Sequence, residues 1–213
     1  MSVLESPRAV RLATIALLVW TGGTGAVDAV SYVHYHHVFV ANMTGNVVFL
    51  GLATLGTAGV ALPSVVVAMV AFVAGASLTG RALTSRFTGN RLVLATACVQ
   101  SVLLAAALVT GRLSDLAVVA LLAVAMGMQN ATARSLAVPD LTTTVLTLTV
   151  TGLAADRLSQ RSALRLLSIG AMLLGAAAGA AALVLAGPVL ALCVALLAIG
   201  TVLVLSAAAG RAA

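Results

Sequence analysis

The chain has 213 residues, of which 62% are hydrophobic and only 8% charged, more apolar surface than a soluble domain of this length could bury. Its net charge of +6 comes from eleven arginines and no lysine, set against five acids. Those arginines lie between apolar segments instead of forming a basic face, which argues against nucleic-acid binding and for loop charges that set membrane topology.

Eight apolar segments follow one another, at about 12–33, 38–62, 64–83, 92–110, 115–133, 141–156, 164–186 and 188–209. Most approach the ~20 residues that a helix needs to cross a ~30 Å hydrocarbon core. The first, preceded by Arg8 and Arg11, resembles a signal peptide but reads better as a retained span because further hydrophobic segments follow. It ends in the most polar stretch of the chain, which holds Asp28, all three histidines (His34, His36, His37) and both tyrosines. The second segment opens on Asn42-Met43-Thr44-Gly45-Asn46, and Gly45 lets the chain bend there. Non-helical backbone at membrane depth must be buried in protein or line a cavity, because lipid offers it no hydrogen-bond partner.

The second half echoes the first. Gly127-Met128-Gln129-Asn130-Ala131 repeats the pattern of Gly25-Ala26-Val27-Asp28-Ala29, and the threonine-rich run 142–149 stands where the Asn-Thr-Gly-Asn run stood. Arginine counting decides the topology. If all eight segments span, Arg8, Arg11, Arg112, Arg157, Arg161, Arg165 and Arg211 lie inside, while Arg81, Arg86, Arg91 and Arg134 lie outside, a poor positive-inside bias. If the second and sixth segments re-enter or are broken half-helices, only Arg112 lies outside. The predicted fold is therefore an all-α integral membrane protein, one membrane domain over 1–213. It has six transmembrane helices, two broken or re-entrant segments, and an inverted 3+3 repeat divided at about 111 and 112. Three spans per half is an odd number, so the second half is upside down relative to the first.

Gly175 with Gly179, and Gly75 with Thr79, have the small-xxx-small spacing that lets helix backbones approach closely, and they are expected to serve packing. Cys98 and Cys193 are expected to act as small hydrophobes within apolar runs. The histidines do not have zinc-site spacing, so no metal and no cofactor is expected, and a solvated loop with a weak pH-sensing role is the reading for them. No nucleophile and base set is visible, so no catalytic residue and no enzymatic activity is expected.

An ionisable side chain within a span costs ~2.5–3.5 kcal/mol on the insertion scale and is a functional candidate for that reason. Asp28, about sixteen residues into the first segment, is placed near the outer end of the core, where it could exchange a proton or cap the broken helix. With Asn42, Thr44, Gly45, Asn46, Gln129, Asn130 and Thr147 it makes up the candidate solute or ion pathway. The expected function is a small-solute transporter or channel with a polar path at the repeat interface. The alternative is a non-transporting membrane scaffold whose polar groups only join helices. The bilayer is the expected partner, the solute is unknown, a homo-oligomer is left open, and nucleic acid is not expected.

Around these residues the sequence resembles the YoaK family, bacterial inner-membrane proteins grouped under a domain of unknown function. The resemblance rests on Gly25 with Asp28-Ala29, Phe39 to Asn46, Gly127 to Ala131 with Arg134, and Thr143-Thr144-Val145-Leu146-Thr147. Leu148 departs from it, standing where a glycine is expected. The resemblance implies a multi-pass protein of the bacterial plasma membrane, read here with both termini cytoplasmic, and implies no activity.

Overall fold

The computed structural model describes residues 6–56, 59, 61–136, 146–155 and 160–212. Residues 142–145 of the threonine run and Arg157 lie outside the described residues, as do the side chains of Leu148 and Arg161. Seven helical elements follow in order: α1 (Pro7–His34), α2 (Met43–Thr54), α3 (Leu62–Leu78, continued by a π-helical turn Thr79–Leu83), α4 (Gly89–Thr110), α5 (Asp115–Leu136), α6 (Leu146–Ala155) and α7 (Gln160–Ala212). All regular structure among the described residues is helical.

Local chemistry sets the helix ends. Ser6 caps α1 by accepting from the Ala9 amide at 3.1 Å, and Pro7 occupies the first turn, where its missing N–H is no loss. Two consecutive left-handed residues, His36 (φ 61°) and His37 (φ 56°), stop the chain from continuing past α1. Ser114 accepts from the Ala117 amide at 3.3 Å at the start of α5, where Asp115 also suits the positive helix end.

Among the described residues, five helices are long and apolar enough to cross a membrane: α1, α3 with its π turn, α4, α5 and α7. By contrast α2 has 12 residues and α6 has 10, ~18 and ~15 Å at 1.5 Å per residue, well short of a crossing. The opposite excess appears in α7, whose 53 residues would reach ~80 Å if straight. It is broken at Ala186 and Gly187 (φ 81°), and Pro188 starts the second arm. Both arms pack on α1, since a Cβ on Gly22 would press on the Ala171 carbonyl and one on Gly23 on the Ala198 side chain.

Small residues hold the main crossings together. A side chain on Gly25 would collide with the Met172 carbonyl and the Ala176 amide, and one on Gly175 with the backbone of Gly22. Between α3 and α5, a side chain on Gly127 would collide with the Phe72 carbonyl and the Ala76 amide, and one on Gly75 with the backbone of Val124. The small-xxx-small glycines therefore do pack helices, α7 on α1 and α3 on α5. Outside this core, Leu173, Leu174, Val184 and Leu185 are exposed, as the lipid-facing surface of a membrane helix is. Cys98 is exposed and Cys193 half-buried; each lies in an apolar run as expected, but Cys98 faces outward instead of filling the core.

Candidate functional site

Two polar regions occur inside this apolar frame. The first is the turn between α1 and α2. Asp28 is 5% exposed and six residues short of the end of α1, and its Oδ1 accepts from the backbone amides of Val40 (3.0 Å) and Ala41 (2.8 Å). Residues 35–41 therefore turn back alongside the helix they have just left, to a point ~9 Å below its end. Asn46, fully buried, holds the same segment from the other side. Its Oδ1 accepts from the Phe39 amide at 3.0 Å and its Nδ2 donates to the Phe39 carbonyl. Asn42 caps α2 through a long contact from the Gly45 amide, 3.5 Å. Gly45 is glycine for space: a Cβ there would sit 2.8 Å from the Phe39 ring. That ring packs with those of Tyr32 (5.1 Å) and Phe49 (5.7 Å), which are themselves 6.1 Å apart, in a three-ring cluster beside the turn.

The turn also reaches the other half of the chain. His36 Nε2 lies 3.4 Å from Asp115 Oδ2, both side chains being 44% exposed, at the mouth of an open cleft that Arg112 and Ser114 help to line. Beside them, burial and then the Asp115 carboxylate push the Tyr35 hydroxyl above its ordinary titration range. His34, His36 and His37 are all exposed, as a solvated loop requires.

The second region lies at mid-depth. Trp20 Nε1 donates to Gln100 Oε1 at 2.7 Å, and Gln100 Nε2 donates to Gln129 Oε1 and to the Ala125 carbonyl, both at 2.9 Å. Gln129 Nε2 donates to Thr24 Oγ1 at 2.7 Å and to the Trp20 carbonyl at 3.4 Å, and Thr24 Oγ1 donates to the same carbonyl at 3.1 Å. The hydrogen bonds thus form a circuit that begins on the Trp20 indole and ends on the Trp20 backbone. Every N–H and O–H in it has an acceptor, and all four side chains are at most 1% exposed. A second pair, Thr96 and Thr132 with hydroxyls 2.7 Å apart, joins α4 to α5 separately.

The expected pathway residues are thereby divided. Asp28, Asn42, Gly45 and Asn46 are brought together at the outer turn, where Thr44 is exposed on the first turn of α2. Gln129 belongs to the mid-depth circuit. Asn130 turns back on its own helix, donating to the Met126 carbonyl at 2.9 Å, and Thr147 is exposed on α6. Trp20, Thr24 and Gln100 were not anticipated. Gln100 alone of the three carried a signal, since Gln100 and Gln129 are the two glutamines inside spans, and a mid-span amide must find a partner.

Long apolar helices joined at glycine crossings around buried polar contacts define a multi-pass, all-helical membrane protein. The comparison with known proteins agrees. The chain belongs to the family described as "Protein of unknown function (DUF1275)", which it matches over residues 16–205. It is 30% identical over 154 residues to the UPF0700 transmembrane protein YoaK of Bacillus subtilis (strain 168), a stretch that covers 70% of this chain and 68% of that relative. The resemblance carried by the Asn-Met-Thr-Gly-Asn run therefore holds. No solved structure matches the chain.

Proposed function

We propose that the protein is a small-solute transporter or channel of the plasma membrane, built as an inverted repeat of three crossings and one re-entrant half-helix per half. The observation that carries this reading is the correspondence of the two glycine crossings. Gly25 meets residues 172 and 176 as Gly127 meets residues 72 and 76, and Gly175 meets Gly22 as Gly75 meets Val124. Each contact in one crossing thus has its counterpart about 100 positions away in the other, as two halves related by a two-fold axis would have. In inverted-repeat transporters the path runs between such halves, beside discontinuous helices.

Chain geometry supports the crossing count. Ser6 Oγ donates to the Ala212 carbonyl at 2.7 Å, so residues 6 and 212 lie on one side and the number of crossings is even. Counting α7 as two arms gives six, with α2 and α6 as the re-entrant pieces. The arginine bias favours the cytoplasmic side for residues 6 and 212. A reporter fused after Arg86 that is active only outside the cytoplasm would overturn this orientation.

Solvent access tests the path itself. In a Cys98→Ala, Cys193→Ala background, single cysteines at Asn46 and Thr24 are expected to react with small aqueous thiol reagents from at least one side. Cysteines at the lipid-facing Leu173 and Val184 serve as controls. If only the exposed Asn42 and Thr44 positions react, the protein is the rigid scaffold instead. Proton coupling through Asp28 has its own test. Asp28→Asn keeps the acceptor for Val40 and Ala41 and removes the exchangeable proton, so it is expected to fold and to lose gradient-driven flux. Retained flux would leave Asp28 as the anchor of the turn alone.

A further inference from the structure

We infer that the solute is small and uncharged, with both hydrogen-bond donors and acceptors, and that the Trp20, Gln100, Gln129 and Thr24 circuit is where it is selected. This rests on the transport reading above and specifies its substrate. The glycine crossings divide the helices into two bodies, α1 gripped by α7 and α3 gripped by α5. Helix α4 is tied to the second body by the Thr96 and Thr132 pair and by both Gln100 amide bonds to α5, and it also packs along α7 across the seam. Backbones of α1 and α5, by contrast, meet only lightly, and side chains bridge them.

Polar ties at three levels therefore cross the seam between the bodies. At the outer level His36 meets Asp115. At mid-depth Trp20 donates to Gln100, and Gln129 donates to Thr24. At the inner level Asn90 Nδ2 donates to the Ser206 carbonyl, joining α4 to the second arm of α7. Trp20 is 13 residues into α1, Gln100 11 into α4 and Gln129 14 into α5, or ~20, ~17 and ~21 Å along their axes, close to the middle of each crossing. Sliding one body on the other breaks the seam ties and leaves intact the glycine contacts and the α4 to α5 bonds.

What can pass then follows from what breaks. Opening the circuit exposes the Trp20 indole N–H, the Gln100 side-chain oxygen, both Gln129 amide hydrogens and the acceptor side of the Thr24 hydroxyl. A hydroxyl- or amide-bearing solute replaces these bonds one for one. An apolar solute leaves buried donors without acceptors, and a site built to bond a hydroxyl or amide rejects the analogue lacking it. An ion finds no counter-charge at this level and pays its full desolvation. The carboxylate of Asp28 is engaged by the Val40 and Ala41 amides, toward the outer end.

The test uses the full chain in lipid vesicles. Glycerol and urea entry is followed by stopped-flow light scattering, and rubidium and chloride entry by tracer. Entry of glycerol, urea or both well above protein-free vesicles is expected, with both ions at background. Trp20→Phe removes one donor together with part of the indole volume, and is expected to change the ratio of glycerol to urea entry by about tenfold, the worth of one buried hydrogen bond. Its fold is checked by monodispersity and thermal unfolding. A Trp20→Phe variant that folds and leaves the ratio unchanged overturns the circuit as the selecting level. Ion entry faster than that of both uncharged probes overturns the substrate class and leaves transport standing. If no probe enters while a Thr24→Cys variant is labelled, the uncharged-solute assignment falls alone; if that cysteine is also inert, the transport reading falls with it.

Discussion

The outer turn and the mid-depth circuit are both polar and both buried, yet they satisfy their groups in opposite ways. At the turn, Asp28 and Asn46 bond to backbone amides and carbonyls within eighteen residues of one another, replacing the helix hydrogen bonds that the reversal removes. In the circuit, side chains from three helices bond to one another across 29 to 105 positions, and the helices themselves need none of it. Damage to the first should therefore stay local, whereas damage to the second should loosen the fit between helices. The same kind of group, an amide in low dielectric, fixes a chain path in one place and a helix registration in the other.

Substitutions can break or sharpen that contrast. The largest effect is expected for Gln100→Leu, which orphans the Trp20 N–H and the Gln129 side-chain oxygen at once; a loss of about 3–5 kcal/mol in unfolding free energy, read in mixed detergent micelles, is expected. Asp28→Leu should cost about 2 kcal/mol and show its effect as faster hydrogen exchange confined to residues 39–46. If exchange rises equally in α4 and α5, the two regions are one unit and the contrast fails. Trp20→Phe, losing one bond, should cost about 1 kcal/mol. Combining it with Asp28→Asn should be additive within ~0.5 kcal/mol, and a larger coupling would show that the turn senses the circuit. Smallest of all is His36→Asn, expected to change stability by under ~1 kcal/mol because its pairing with Asp115 is exposed to water.

How much of this could be read from the residues depended on whether the contacts were local. Asn42, Gly45 and Asn46 lie within five positions, so the polar run announces a bend, and the bend is there. The described helices of the second and sixth segments are short, 12 residues for α2 and 10 for α6. Asp28 was legible as a polar site near the C-terminal end of its helix. Its acceptor role was not, because which amides it meets depends on how residues 35–41 fold back. Trp20 and Thr24 gave no signal at all: a tryptophan and a threonine in an apolar run look like lipid-facing or packing residues until α4 and α5 are set beside them. Asn130 was chosen by analogy with Asp28, and in the described structure its amide serves its own helix.

The grip of α7 on α1 also has a consequence for biogenesis. The face of α1 that carries Gly22, Gly25 and Ala26 is shaped for residues 171–179, which are synthesised about 150 positions later. At ~5–20 residues per second, the ribosome needs about 10–30 s to cover that distance. For that interval α1 stands in the bilayer with a groove cut for a helix that does not yet exist. The two arms of α7, separated by little more than Gly187 and Pro188, have no loop between them and so enter as a single hairpin. The last element made is thus the one that closes the first, and a chain stalled or cleaved before residue 160 would present to lipid and to quality-control proteases a glycine-lined face that the finished protein never exposes.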